Sequence, residues 1–192
     1  MLEIEQKFSQ ADFAVLEQRL QEWGAETGQV QDEADHYFNA PDRDFAHTDE
    51  AFRLRRIGPA NFLTYKGPKA KAGVKKRVEL EVRLPRGQAV ADEFIRLLRH
   101  LGYRPVAVVY KHRRLYQLMR DDCDVTVCLD EVTGLGRFAE VEVLVPPERE
   151  RQAESIVTST AADLGLTKVE KRSYLEMLLA LQGEDTAVET KK

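Results

Sequence analysis

Like charges recur two residues apart along the sequence, and four of these pairs could support chemistry. The four pairs are Glu3 and Glu5, Arg53 and Arg55, Lys111 and Arg113, and Glu140 and Glu142. Residues at positions i and i+2 lie on one face of a β-strand, so each pair predicts two like charges side by side. Such neighbours repel unless an opposite charge lies among them. The pattern therefore indicates a site that binds a charged ligand.

The residue types of these pairs indicate which ligand that is. Guanidinium groups bind phosphate oxygens in a bidentate manner, and lysines such as Lys66 add point charges. Carboxylate oxygens are the ligands that Mg²⁺ or Mn²⁺ prefers. A small-molecule di- or triphosphate with one of these cations as cofactor accounts for both signs of charge. Asp130 precedes the second acidic pair on a neighbouring predicted strand and could join either set.

A simpler interpretation is that these strands form a half-exposed antiparallel sheet, whose polar face meets water. Solvent-facing strands usually mix Thr, Ser, Lys and Glu with both signs interspersed, whereas here like charges are neighbours. The set of four pairs therefore favours an enclosed charged surface over a solvated one.

Hydrophobic periodicity divides the chain into strands and amphipathic helices. Alternation with a period of two predicts eight strands, at 2–8, 29–39, 51–57, 61–67, 74–84, 105–119, 123–132 and 137–145. Helical periodicity predicts a first helix carrying Phe13, Leu16 and Leu20, with Ser9 as its N-cap. Further helices are predicted at 89–101, 147–164 and 171–182.

These elements predict an α+β fold with an eight-stranded antiparallel closed β-barrel. Its lumen is charged, and its apolar outer surface packs against the helices, the reverse of a small barrel filled by apolar side chains. Residues 1–182 are expected to form a single domain, and residues 183–192 a disordered tail. A lumen lined by unpaired basic side chains would be costly when empty, so we expect it to need an anionic occupant.

Composition excludes several other classes of protein. The 192 residues are 43% hydrophobic and 32% charged, which is typical of a soluble globular domain. No apolar run approaches the roughly 18 residues of a membrane span, so we expect a cytoplasmic protein with no membrane partner. Residues 53–120 carry 18 Lys and Arg against 4 Asp and Glu. The overall pI of about 5.7 argues against nucleic acid as the partner of this basic segment. A homodimer is compatible with the sequence.

Several motifs resemble one known family, the CYTH or triphosphate tunnel superfamily, and in particular its class IV adenylyl cyclases. Glu3-Ile4-Glu5-Gln6-Lys7 resembles the ExExK signature of that family. The later resemblances are Asp35-His36-Tyr37-Phe38, Phe52-Arg53-Leu54-Arg55, Thr64-Tyr65-Lys66-Gly67-Pro68, Val109-Tyr110-Lys111-His112-Arg113, the hairpin from Leu129 to Glu142, and Lys171-Arg172-Ser173-Tyr174. Together they cover roughly residues 1–180 in the family's order.

The resemblance implies a tunnel that binds a triphosphate with Mg²⁺ or Mn²⁺. It implies Glu5 and Glu140 as metal ligands, with Glu3 and Glu142 as neighbours in the acidic set. The implied phosphate-binding residues are Arg53, Arg55, Lys66, Lys111 and Arg113. The implied catalytic residues are Lys7, Tyr37, Lys66, Asp130 and Arg172.

Two reactions fit this resemblance, and two non-enzymatic functions compete with them. The first reaction is cyclisation of ATP to 3′,5′-cyclic AMP and pyrophosphate. The second is hydrolysis of the terminal phosphate of inorganic, thiamine or nucleoside triphosphate, where Tyr37 and Lys66 resemble residues tied to water activation. A non-catalytic polyphosphate sensor could dispense with the carboxylates, which are present here. An RNA-binding barrel would expose aromatic stacking residues, whereas most aromatics here fit core positions.

Overall fold

The computed structural model describes residues 2–68 and 78–189, with side chains up to residue 182. The strands are β1 (Leu2–Ser9), β2 (Glu26–Asn39), β3 (Ala51–Ile57), β4 (Ala60–Lys66), β5 (Glu79–Leu84), β6 (Arg104–Arg120), β7 (Cys123–Val132) and β8 (Gly136–Val145). The helices are α1 (Phe13–Glu22), α2 (Phe45–Thr48), α3 (Gln88–His100), α4 (Glu150–Asp163) and α5 (Tyr174–Glu189).

The eight strands form one antiparallel sheet in the order β1-β8-β7-β6-β2-β3-β4-β5. The sheet curls strongly. Lys66 on β4 contacts Glu3 on β1, although these two strands lie far apart in the strand order. The predicted α+β architecture with eight antiparallel strands is confirmed. The word closed overstates it, because β1 and β5 remain edge strands with no backbone pairing between them in the described part of the chain.

The free edge of β1 is covered by a different segment. The backbone N–H of Ser9 donates to the carbonyl of Lys168 at 2.9 Å, and that of Glu170 donates to the carbonyl of Lys7 at 2.8 Å. Phe8 and Val169 form an isolated antiparallel bridge between these contacts. The chain leading into α5 therefore extends the sheet beyond β1, where a closed barrel would need β5.

Most of the buried apolar residues lie on the outer face of the sheet and pack against the helices there. The largest cluster joins β1, β7 and β8 to α1 and α4, and it includes the fully buried Ile4, Leu20 and Val141. A second cluster packs α3 against β2, β3 and β5 around Leu54. Each large aliphatic side chain buried in this way contributes roughly 1.5–3 kcal/mol to folding. With α1, α3 and α4 on the outside, the opposite, charged face of the sheet lines the enclosed space, and α5 packs against Val109, Val132 and Phe138 on that inner face.

Several predicted boundaries need correction. Ser9 ends β1, and Asp12 is the N-cap of α1, where its carboxylate accepts the backbone N–H groups of Ala14 and Val15. The helix predicted at 147–164 is a 3₁₀ turn at Pro147–Arg149 followed by α4. The strand predicted at 74–84 is observed from Glu79, and its positions 74–77 lie outside the described residues. Within the described ranges, none of the helices is both long and apolar enough to traverse a bilayer.

Candidate active site

The inner face of the sheet carries nearly all the residues that the sequence analysis singled out. Strand geometry explains this, because residues two apart on each strand face the same side and paired strands align these positions. Glu5 lies opposite Glu142 and Lys7 opposite Glu140 in the β1–β8 register. Lys111 lies opposite Glu33, and Arg113 opposite Asp130. We call Arg53, Arg55, Lys111 and Arg113 the cation wall.

Half of the cation wall, on β3, is held by Asp35. Arg55 donates to Asp35 through Nε at 2.7 Å and through Nη2 at 2.9 Å. Arg53 Nη1 donates to the same carboxylate at 3.1 Å and to the Tyr37 hydroxyl at 3.2 Å. Burial would raise the pKa of Asp35, but Arg53 and Arg55 hold it far below its usual range. Asp35 therefore stays ionised and neutralises part of this pair.

The other half, on β6, is held by Glu33 and Asp130. Lys111 Nζ lies 3.0 Å from Glu33 Oε2, and Arg55 Nε lies 3.2 Å from the same atom. Arg113 donates to Asp130 through Nε at 2.6 Å and through Nη2 at 2.5 Å. Burial raises the pKa of Glu33, but the surrounding cations, Lys111 first, lower it overall. Asp130, which could have joined either charge set, belongs with the cations.

These carboxylates correct the expectation that an empty lumen is costly. That expectation counted the basic residues without Glu33 and Asp35, which sequence reasoning missed as site residues. The missed signal is the alternation on β2, where Glu33, Asp35 and Tyr37 share one face. Because these side chains neutralise the cation wall internally, the cation wall does not need an anionic occupant.

Glu140, on β8, lies between Arg113 of the cation wall and Lys7 on β1. Its Oε2 accepts a hydrogen bond from Arg113 Nη2 at 2.5 Å, and its Oε1 lies 3.9 Å from Lys7 Nζ. Lys7 is almost completely buried, and its ammonium lies 4.1 Å from the ring centroid of Tyr174. The Tyr174 hydroxyl donates to Asp130 at 2.8 Å. The predicted residues Lys7, Asp130 and Glu140 are thus joined in one hydrogen-bonded and ionic network.

Glu3, Glu5 and Glu142 form a compact acidic cluster, with one carboxylate oxygen of each within 4.8 Å of the others. Burial, together with the neighbouring carboxylates Glu3, Glu140 and Glu5, raises the pKa of Glu142 to about 7, although Arg113 acts to lower it. A hard divalent cation fits this set, because it binds carboxylate oxygens and removes their mutual repulsion. Glu140, implied as a ligand by the resemblance, lies outside the cluster and pairs with Arg113 instead.

Lys66 spans the open side of the sheet. Its Nζ lies 3.1 Å from Glu3 Oε2 and 2.7 Å from Glu79 Oε2, so it joins the edge strands β1 and β5 through side chains. Burial raises the pKa of Glu3, and so does its hydrogen bond with the Glu79 carboxylate, to which the protonated Glu3 donates. Burial disfavours the charged amine of Lys66, but Glu3 and the other acidic neighbours raise its pKa overall. Lys66 therefore stays charged beside the acidic cluster.

Arg172, also a predicted site residue, contacts Glu170 in the segment before α5. Its guanidinium is mostly exposed and forms a two-point ion pair with Glu170, through Nε at 3.0 Å and Nη2 at 2.8 Å. Its catalytic role stays a prediction. Arg53, by contrast, lies within the network, and its buried Nε has no hydrogen-bond partner among the described residues.

A family model described as the CYTH domain matches residues 1–174, which is most of the chain and includes every strand. The chain belongs to the CYTH family. The resemblance inferred from the ExExK motif and the later charged strands is therefore confirmed.

Curated relatives of this CYTH chain have adenylate cyclase names. A Methanocaldococcus jannaschii protein named as a candidate adenylate cyclase is 31% identical over 180 residues, covering 92% of this chain and 98% of the relative. The adenylate cyclase CyaB of Aeromonas hydrophila is 28% identical over 166 residues, covering 79% and 76%.

Solved structures support the same fold. A Pyrococcus horikoshii OT3 protein superimposes with a TM-score of 0.80 at 37% identity, covering 93% of this CYTH chain and 98% of that protein. A Hippeastrum protein described as a candidate adenylyl cyclase with a dominant triphosphatase activity superimposes with a TM-score of 0.67 at 13% identity, covering 93% and 95%. At that identity the second likeness concerns the fold alone.

Proposed function

We propose that this CYTH protein is a metal-dependent enzyme that cyclises ATP to 3′,5′-cyclic AMP and pyrophosphate on the inner face of its sheet. The observation that carries the proposal is the placement of the Glu3, Glu5 and Glu142 cluster beside buried cations on that one face. The relatives with adenylate cyclase names favour cyclisation as the reaction.

The acidic cluster would hold Mg²⁺ or Mn²⁺ through Glu3, Glu5 and Glu142. When bound, the cation supplies charge that polarises a phosphoryl oxygen and lowers the pKa of a coordinated hydroxyl, here the ribose 3′-hydroxyl. The cation would also offset the net negative charge of the site. In the linked network carboxylates outnumber the basic side chains, so an anionic substrate without a cation would meet net repulsion.

The cation wall would bind the phosphates and neutralise the departing pyrophosphate. Arg53 is placed to begin this, because its buried Nε is a donor without a hydrogen-bond partner among the described residues. Arg55 and Arg113 already make two-point contacts to Asp35 and Asp130, so these carboxylates fix their orientation. Pre-oriented donors stabilise developing charge without reorganising during the reaction.

Positioning therefore carries more of the proposed mechanism than proton transfer by a side chain. Asp130 accepts three hydrogen bonds, from Arg113 twice and from Tyr174, and this leaves it an orienting role. Lys7 is a buried ammonium group and Lys66 a half-buried one; both lie beside acidic residues and would contact phosphate oxygens as charges. In phosphoryl transfer, alignment and charge neutralisation account for most of the rate enhancement.

Hydrolysis of a triphosphate is the second candidate reaction. The Tyr37 hydroxyl lies 3.2 Å from Arg53 Nη1, so a polar hydroxyl is held beside the phosphate-binding guanidinium where a water could be oriented. The dominant triphosphatase activity described for the Hippeastrum protein of the same fold favours this candidate. Both reactions use the same cation wall and acidic cluster, and they differ in the nucleophile.

Product analysis tests the proposal. Purified protein would be incubated with ATP and either Mg²⁺ or Mn²⁺, and the nucleotides would be separated by chromatography. We expect cyclic AMP and pyrophosphate in equal amounts. ADP and phosphate would instead establish the hydrolase. The Glu5→Gln variant serves as the control for contaminating enzymes. If ATP yields neither product pair, and inorganic triphosphate and thiamine triphosphate release no phosphate, the enzymatic proposal is overturned and a binding function is left.

A further inference from the structure

The segment before α5 is fixed to β1 by backbone hydrogen bonds on either side of Phe8. These bonds join Ser9 to Lys168 and Lys7 to Glu170. The first residue of α5, Tyr174, follows four residues after Glu170, so its starting position is set relative to the strand that carries Lys7. The α5 helix is thus attached to the inner face at a defined place.

Tyr174 is 7% exposed and contacts charged residues on three different strands. Its ring centroid lies 4.1 Å from Lys7 Nζ on β1 and 5.7 Å from Lys111 Nζ on β6. Its hydroxyl donates to Asp130 on β7, which in turn holds Arg113 at two points. The ring also packs edge-on against Phe138 with centroids 5.1 Å apart.

We propose that Tyr174 is a positioning residue for the polyphosphate site, holding Lys7 and Lys111 through its ring and Arg113 through its hydrogen bond to Asp130. The inference rests on the proposed function, since it concerns how the same site binds phosphates. It adds a residue from the helix after the sheet to a binding surface otherwise made of strands.

The physical reason concerns charge. A carboxylate that holds a lysine also cancels its charge, as Glu33 does for Lys111. An aromatic ring attracts an ammonium through its quadrupole and carries no net charge. Tyr174 can therefore hold Lys7 and Lys111 in place, against their mutual repulsion, without adding to the neutralisation that Glu140 and Glu33 already provide.

Binding of inorganic triphosphate in the presence of Mg²⁺, measured by calorimetry on the full chain, tests the proposal. Tyr174→Leu removes the ring and the hydroxyl, and we expect the dissociation constant to rise on the order of 100-fold. Tyr174→Phe keeps the ring and should recover most of this loss, to within about 10-fold of wild type, the size of one hydrogen bond to a charged group. Met177→Ala is the matched control, because Met177 is buried in the same apolar cluster on α5 and should change binding less than threefold.

A second measurement examines the unliganded protein. Lysine-selective NMR should show the ε-methylene protons of Lys7 shifted upfield by the Tyr174 ring in wild type and in Tyr174→Phe. This readout remains decisive if Tyr174→Leu fails to fold, because it needs only wild type and the Phe variant. Its absence in both would overturn the inference, as would binding by Tyr174→Leu within threefold of wild type. If wild type itself binds neither inorganic triphosphate nor ATP, the proposed function fails instead.

Discussion

The cation wall and the acidic cluster lie on the same inner face, yet they handle charge in opposite ways. The guanidinium and ammonium groups of the cation wall are met by Asp35, Glu33 and Asp130 within the fold. The acidic cluster has Lys66 beside Glu3, but its three carboxylates face one another. The difference indicates that the cation wall is built for stability and orientation, whereas the acidic cluster is built to receive an external cation.

The largest expected effect comes from breaking the acidic cluster. Glu142→Gln removes a ligand, and we expect the product yield per minute to fall at least about 100-fold, with Mn²⁺ affinity by calorimetry falling in parallel. Because the change also relieves repulsion among neighbouring carboxylates, the melting temperature should stay the same or rise. Glu131→Gln, on an exposed position of β7, is the control. Retention of both turnover and Mn²⁺ affinity in Glu142→Gln would contradict the metal assignment.

Removing a carboxylate that holds the cation wall should, in contrast, lower the stability of the protein. Asp35→Asn leaves Arg53 and Arg55 without their shared carboxylate, and removing one partner of a buried ion pair costs about 3–5 kcal/mol. We expect this loss in the free energy of unfolding measured with urea. Asp32→Asn on the same strand removes only an exposed contact to His112 and should cost less than about 1 kcal/mol. Equal stabilities of the two variants would contradict the structural role of the cation wall.

Within the cation wall, Arg53 should matter most directly for the ligand. Arg53→Ala removes a buried guanidinium whose Nε is unpaired among the described residues, and we expect inorganic triphosphate to bind about 10- to 100-fold more weakly. Asp35 keeps its two-point contact with Arg55, so stability should fall less than in Asp35→Asn. Arg99→Ala, on the exposed side of α3, controls for the lost charge. Unchanged binding by Arg53→Ala would remove this residue from the site.

The smallest effect is expected for Arg172. Its exposed ion pair with Glu170 predicts that Arg172→Ala changes turnover and ligand affinity less than threefold, since surface pairs contribute about 0–1 kcal/mol. The same product and calorimetry assays measure this. A loss comparable to that of Arg53→Ala would restore the catalytic role that the resemblance implies, and would require Arg172 to leave Glu170 when substrate binds.

Much of the fold could be predicted from local sequence because strand periodicity was strong. Alternating charge and apolar residues located all eight strands, and the bounds of β3 and β7 matched the prediction. The failure to close was not predictable in this way, because it depends on residues 168–170 occupying the edge of β1. Such long-range competition for a strand edge leaves no periodic signal.

The site was predicted in outline and mistaken in its charge balance. Like pairs such as Arg53 and Arg55 were visible from their spacing, but their partner Asp35 precedes them by nearly 20 residues and shares only a strand register with them. The sequence also did not reveal that Glu140 and Glu142 have different surroundings. Glu140 and Glu142 are neighbours in sequence, yet one faces Arg113 and the other Glu3 and Glu5, because each position on β8 meets a different residue across the sheet.

The edge of β1 also bears on how the chain is synthesised. Strand β1 pairs with β8 and with residues 168–170, so it is synthesised long before the segments that pair with it. Contacts of such large sequence separation form slowly. Strand β1 must therefore stay unpaired until these segments have been synthesised, and a chain terminated before residue 168 would expose an uncovered strand edge to aggregation.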